Sequence, residues 1–175
     1  MEKLEENVKK KYLSMTIRIL RFLQLLCEGH YQPLQNNLRE QCYPNGQRSQ
    51  KTFDFVAYVS QMFTIYVKSF VNRYSTELGN QIIETLIEFV QGPCTDSQRT
   101  LVDTKSIDCC RDLLNQGMGN EAELEQKGFI GKNKGLLDAI KMNSVKLLLS
   151  ILEGPVDVEI SARISDSLGD FNIVI

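Results

Sequence analysis

Leu25-Leu26-Cys27-Glu28-Gly29, Phe89-Val90-Gln91-Gly92-Pro93 and Ile151-Leu152-Glu153-Gly154-Pro155 each close an apolar run with helical spacing. Glycine directly after such a run adopts the left-handed cap that ends a helix without a Cβ penalty. The three caps, Gly29, Gly92 and Gly154, are spaced by 63 and 62 residues. Two readings account for this echo. Leucine-rich helices often end in glycine, so the match can be a coincidence of composition. The other reading is a stack of antiparallel helix groups, as in an armadillo-like solenoid, with a spacing longer than the usual armadillo or HEAT unit.

Working outward from these caps, helical periodicity dominates the chain and predicts an all-α fold of about seven or eight helices in a single domain, residues 1–175. The first helix is expected from Leu4 to Glu28, with Leu13, Ile17, Leu20, Phe22, Leu23 and Leu26 as its apolar face. A short helix over Pro33–Gln41 precedes a loop, Cys42–Lys51, that contains Asn45-Gly46 without strand-like flanks. Thr52–Asn72 is apolar almost all round, which predicts a helix buried between others. Thr76–Gln91 is the next helix, with Ile82, Ile83, Leu86, Ile87 and Val90 inward. Shorter helices over Asp96–Thr104 and Ser106–Gln116 lead to Gly117–Gly135, expected to be mostly a flexible connection. A strong helix over Leu136–Glu153 and a weaker one over Val158–Leu168 complete the series. The apolar stretch Phe171–Ile175 has no helix to belong to, which suggests a fragment of something longer.

The composition excludes several classes of function. A net charge of −2 and a pI near 5.5 give no basic field for nucleic acid or an anionic membrane. Glu5 and Glu6 stand one turn before Lys9 and Lys10, as in a solvated helix with its charges paired at i,i+4. The longest apolar stretch, Phe53–Val71, is interrupted by Asp54, Ser60, Gln61 and Lys68, so no transmembrane segment is expected. The charged N-terminus does not read as a secretory signal. Five cysteines include no CxxC pair, and a single histidine argues against a closed zinc site. Cys27 and Cys110 read as small reduced core residues.

Catalytic motifs are absent: there is no Gly-x-Ser-x-Gly elbow, phosphate loop or EF-hand spacing. The chain is therefore read as non-enzymatic. Cys27 and His30 share a helical turn but have no third, orienting group. The two helix-end glutamates, Glu28 and Glu88, are more informative. The C-terminal end of a helix disfavours a nearby anion by roughly 0.3–1 kcal/mol. Either both side chains point into water, or something positive offsets the cost, and carboxylates with free carbonyls are ligands for a hard cation such as calcium.

Four collinear blocks carry a family resemblance. They are Arg21-Phe22-Leu23-Gln24-Leu25-Leu26-Cys27-Glu28; Leu34-Gln35-Asn36-Asn37-Leu38-Arg39-Glu40-Gln41; Thr85-Leu86-Ile87-Glu88-Phe89 with Gln91-Gly92-Pro93-Cys94; and Val145-Lys146-Leu147-Leu148-Leu149-Ser150-Ile151-Leu152-Glu153 followed by Ala162-Arg163-Ile164. Over about residues 15–165 they resemble the homology-associated domain shared by inositol trisphosphate receptors and ryanodine receptors. The resemblance implies an armadillo-like module of a homotetrameric calcium-release channel, on the cytosolic face of the endoplasmic or sarcoplasmic reticulum. Its implied partners are other domains of the same channel, including the C-terminal part near the pore. It further implies that Glu28 and Glu88 bind an activating Ca2+, weakly in the isolated domain, with His30 and Gln91 beside them. The chain departs from the family in Gly29-His30-Tyr31 and in Ile87 and Phe89 around the second glutamate. A helical scaffold for protein–protein interaction, without calcium sensing, is the alternative.

Overall fold

The computed structural model describes residues 2–68, 73–119, 130–154 and 157–169. The described residues form eight helices: α1 (Glu2–Cys27), α2 (Gln32–Arg39), α3 (Phe55–Lys68), α4 (Arg73–Val90), α5 (Thr95–Asp103), α6 (Ser106–Gly119), α7 (Ile130–Ile151) and α8 (Val158–Gly169). No strand occurs among them, and the all-α, solenoid-like class read from periodicity is the class observed. Local chemistry places the starts. Pro33 sits in the first turn of α2, where its missing N–H costs nothing. Asp54 accepts the Ala57 N–H at 2.8 Å ahead of α3, and Asp157 accepts those of Glu159 and Ile160 ahead of α8.

α4 is the central element. α1 packs on one side of it and α7 on the other, with α3 and α5 also against it. Ile82, Ile83, Leu86, Phe89 and Val90 of α4 are buried, and Leu20, Leu23 and Cys27 of α1 and Leu147, Leu148 and Ile151 of α7 complete that layer. Gln81 of α4 donates to Gln24 of α1 at 2.7 Å, and Thr85 donates to the Leu20 carbonyl at 3.2 Å. Asn143 of α7 donates to Asn80 of α4 at 2.9 Å. Since the C-terminal ends of these helices also meet, as described below, α1, α4 and α7 run parallel.

Four expectations are corrected. Phe22, assigned to the apolar face of α1, is 60% exposed, because that face is centred on Leu20, Leu23 and Cys27. α3 is not enclosed all round: Tyr58 and Ile65 face solvent while Val56, Val59, Phe63, Tyr66 and Val67 are buried. The glycine-rich connection is shorter at both ends than its composition suggests. α6 continues to Gly119 and α7 starts at Ile130, with residues 120–129 between them outside the described set. A mid-helix glycine costs only about 1 kcal/mol relative to alanine, which the packing of α7 on α4 and α6 outweighs. Finally, Asn45-Gly46 turns the chain in a minimal hairpin closed by a Cys42–Arg48 bridge, with Gly46 at φ +81°. Phe171–Ile175 lies outside the described residues.

Candidate functional site

The helix caps read from the sequence are real and lie side by side. Gly29, Gly92 and Gly154 have φ of +77°, +88° and +106°. His30, itself left-handed at φ +58°, rests on Gly92, where an added Cβ would lie 3.4 Å from the His30 Cβ. An added Cβ on Gly154 would lie 3.2 Å from the Pro93 Cα. The Gly92 N–H donates to Glu153 Oε2 at 2.9 Å, so the end of α7 caps the end of α4. Of the two readings of the 63- and 62-residue echo, stacking is the one observed.

Two buried glutamines hold this edge together. Gln35 of α2 donates through Nε2 to the carbonyls of Glu88 (2.8 Å) and Gln91 (2.9 Å). Gln98 of α5 points its Nε2 at four carbonyls: Val90 (3.2 Å), Gly92 (3.1 Å), Ser150 (3.1 Å) and Glu153 (2.9 Å). The carbonyls at the end of α4 are thus satisfied by side-chain amides, which are dipoles and carry no net charge. That changes the chemistry expected here. The Glu88, Val90, Gln91 and Gly92 carbonyls already accept these bonds, and the carboxylates are the charged oxygens that a cation would find here.

Glu88 is half-buried on α4 beside the turn that carries Glu28 and His30. Burial pushes its carboxyl above the usual 4.5; His30 pulls it down, Glu28 pushes it further up and Arg21 pulls it down. Glu28 and Glu88, 60 residues apart in the chain, are therefore within electrostatic reach of each other in the fold. Of the two neighbours inferred for them, His30 packs on Gly92 and Gln91 lines a groove with Glu88. That groove, about 640 Å³ and open, lies between α4 and α7 and includes Glu84, Lys146 and Glu153 as well. Among the described residues no three His, Cys, Asp or Glu side chains converge as a metal shell. Two carboxylates fit part of a calcium shell, which takes ~6–8 oxygens, and leave the rest to other donors.

Burial also raises the Cys27 thiol to about 12, with Glu88 and Cys94 adding to the effect. A thiol held so far above neutrality is not a nucleophile for His30 to activate. Cys110 is fully buried, as its reading as a core residue requires. Gln35 and Gln98 were not singled out as site residues. Each lies in a short segment read as helical, but their partners are more than 50 residues away or across a turn, and no local pattern announces that.

A parallel stack of helices with two acidic side chains at one edge defines the class as an all-helical, solenoid-like module. Comparison with known proteins supplies the family. The family profile described as "RyR and IP3R Homology associated" matches residues 10–114, and the chain belongs to that family. It is similar to the inositol 1,4,5-trisphosphate receptor itr-1 of Caenorhabditis elegans, with 31% identity over 160 residues, 88% of this chain. It spans only 5% of the length of that receptor. No helix among the described residues is long and apolar enough to cross a membrane.

Proposed function

We propose that this chain is a regulatory helical module of an intracellular calcium-release channel, on the cytosolic side of the reticulum membrane, and that Glu28 and Glu88 contribute carboxylates to an activating calcium site. The observation that carries the reading is the position of Glu28 and Glu88 on the adjoining turns that close two parallel helices, with His30 packed on Gly92 and Glu28 near enough to raise the Glu88 carboxyl. Membership of the family supports it. Two carboxylates brought together repel, and burial adds to the cost of ionising Glu88; a divalent ion relieves both. The remaining ligands come from another element of the same channel, in the family's pattern its C-terminal part near the pore, in a homotetramer. Calcium then favours whichever arrangement closes the shell, because it binds that arrangement more tightly. His30 and Gln91 keep the two turns in register.

The test is calcium titration of the 175-residue chain by isothermal calorimetry. Half a shell predicts weak binding, on the order of millimolar. That binding is expected to vanish in Glu88→Gln and in Glu28→Gln while the helical circular dichroism spectrum is unchanged. It is also expected to weaken as pH falls through the raised pKa of Glu88, since the ligand form is the carboxylate. Calcium binding that survives both substitutions would overturn the assignment. The groove between α4 and α7 sets Ile87 and Leu149 among polar and charged side chains, a mixed lining rather than the apolar channel that the scaffold reading needs for a peptide.

A further inference from the structure

α1 carries a second apolar face that the fold does not use. Val8, Tyr12, Met15, Ile19 and Phe22 are 46, 67, 56, 48 and 60% exposed. They recur at intervals of 4, 3, 4 and 3 residues, the a and d spacing of a heptad. At 3.6 residues per turn this stripe lies roughly 90° around the helix from the face made by Leu20, Leu23 and Cys27, so it is not a fringe of the core. Residues 5–12 are exposed throughout, and the first turns of α1 stand clear of the body. Single exposed apolar residues need no explanation, but five in register along one face do.

The flanks say what fits. Lys9 lies on one side of the stripe, and Lys11 and Arg18 on the other, at the e and g positions of the same heptad. None of the three has an ion pair among the described residues; of the nearby acids, Glu6 lies off the stripe and pairs with Lys10 at 2.8 Å, and Glu5 stands at the a position two turns before Tyr12, at the end of the seam. A second copy of the chain is a poor match. Antiparallel pairing sets Lys11 and Arg18 against their own kind, and parallel pairing offers them only Thr16 and Leu23. We infer that this face is a docking seam for an amphipathic helix with apolar a and d positions and carboxylates at e and g.

The experiment uses the 175-residue chain and two fluorescein-labelled 21-residue synthetic helices with leucine at every a and d position. One has glutamate and the other lysine at e and g. Fluorescence anisotropy is expected to show the glutamate helix binding at least roughly tenfold more tightly, an advantage that shrinks with added salt. Met15→Glu with Ile19→Glu is expected to lose that binding at least roughly tenfold, with an unchanged melting curve, because both positions are exposed. Lys11→Glu with Arg18→Glu is expected to transfer the preference to the lysine helix. Equal affinity for both helices, no saturable binding by about 1 mM, or binding indifferent to the seam substitutions would overturn the proposal. So would sedimentation showing a dimer of the chain that Ile19→Glu dissociates, since the occupant would then be a second copy.

Discussion

Gln98 offers two amide protons to four carbonyl oxygens, all 2.9–3.2 Å from its nitrogen, and it is 3% exposed. Leucine has nearly the same volume but no donor, so Gln98→Leu isolates the polar contribution. Buried carbonyls left without a partner cost ~1–3 kcal/mol each set, and urea denaturation of Gln98→Leu is expected to show a loss of at least ~2 kcal/mol. An unchanged midpoint would mean that water or a shifted backbone satisfies those oxygens. Glu88 acts in the opposite sense. Its folded pKa lies above 4.5, so the ionised folded state carries a penalty that the unfolded chain does not. That penalty is complete above the folded pKa and disappears as pH falls below 4.5. Glu88→Gln is therefore expected to melt higher than the parent protein at pH ~7 without calcium, with the gap closing by pH ~4. Thermal melts at the two pH values check it, and a gap of the same size at both would remove the electrostatic account.

Among the elements, α2 is the strap that fixes the spacing between the Glu28 turn and the end of α4. Gln32 donates to the Pro93 carbonyl at 3.2 Å, Gln35 to Glu88 and Gln91, and Arg39 pairs with Asp96 at 3.0 Å. These residues recur at helical intervals of 3 and 4, so one face of a two-turn helix grips the corner between α4 and α5. The stacked ends give a paired prediction. Alanine at Gly29 meets nothing within 4 Å and bears only the left-handed backbone strain, ~1–2 kcal/mol, whereas alanine at Gly154 adds a 3.2 Å contact with the Pro93 backbone. Gly154→Ala is expected to destabilise more than Gly29→Ala in denaturant titrations, and equal losses would mean that the ends of α4 and α7 are not packed together in solution. Helix existence was legible because periodicity and glycine caps are local signals: α1, α4 and α5 start and end within a few residues of where the sequence puts them. The start of α7 at Ile130 was not, because Gly131 and Gly135 weaken a helical pattern that tertiary packing then restores. The glutamates of the candidate site were visible as anions at unfavourable helix ends. The amides of Gln35 and Gln98, which donate to the carbonyls at this edge, became visible only with the tertiary contacts.

For the whole molecule, the repeat of about 62 residues makes α4 the element that both neighbours need. In a stack each unit buries its apolar face only against the next, so stability is carried by interfaces rather than by single helices. α4 has two such interfaces, with α1 and with α7, and its residues Ile82, Ile83, Leu86, Phe89 and Val90 are at most 1% exposed. α1 is different along its own length. Leu20, Leu23 and Cys27 anchor its C-terminal half, while residues 5–12 touch little and rely on helix propensity and the solvent-screened Glu6–Lys10 pair. An isolated helix of that length is marginal in water. Native-state hydrogen exchange is therefore expected to grade along the parallel layer. Amides of residues 82–90 should exchange only through global unfolding, those of residues 20–27 at or just below that limit, and those of residues 8–12 by local fraying with little protection. A helix with the acidic flanks inferred above, seated on Val8, Tyr12, Met15, Ile19 and Phe22, is expected to raise protection at residues 8–12 selectively, because it supplies the interface that this half of α1 lacks. Uniformly strong protection along α1 in the chain alone would show that its first turns are already packed, and the seam would then have to be sought elsewhere.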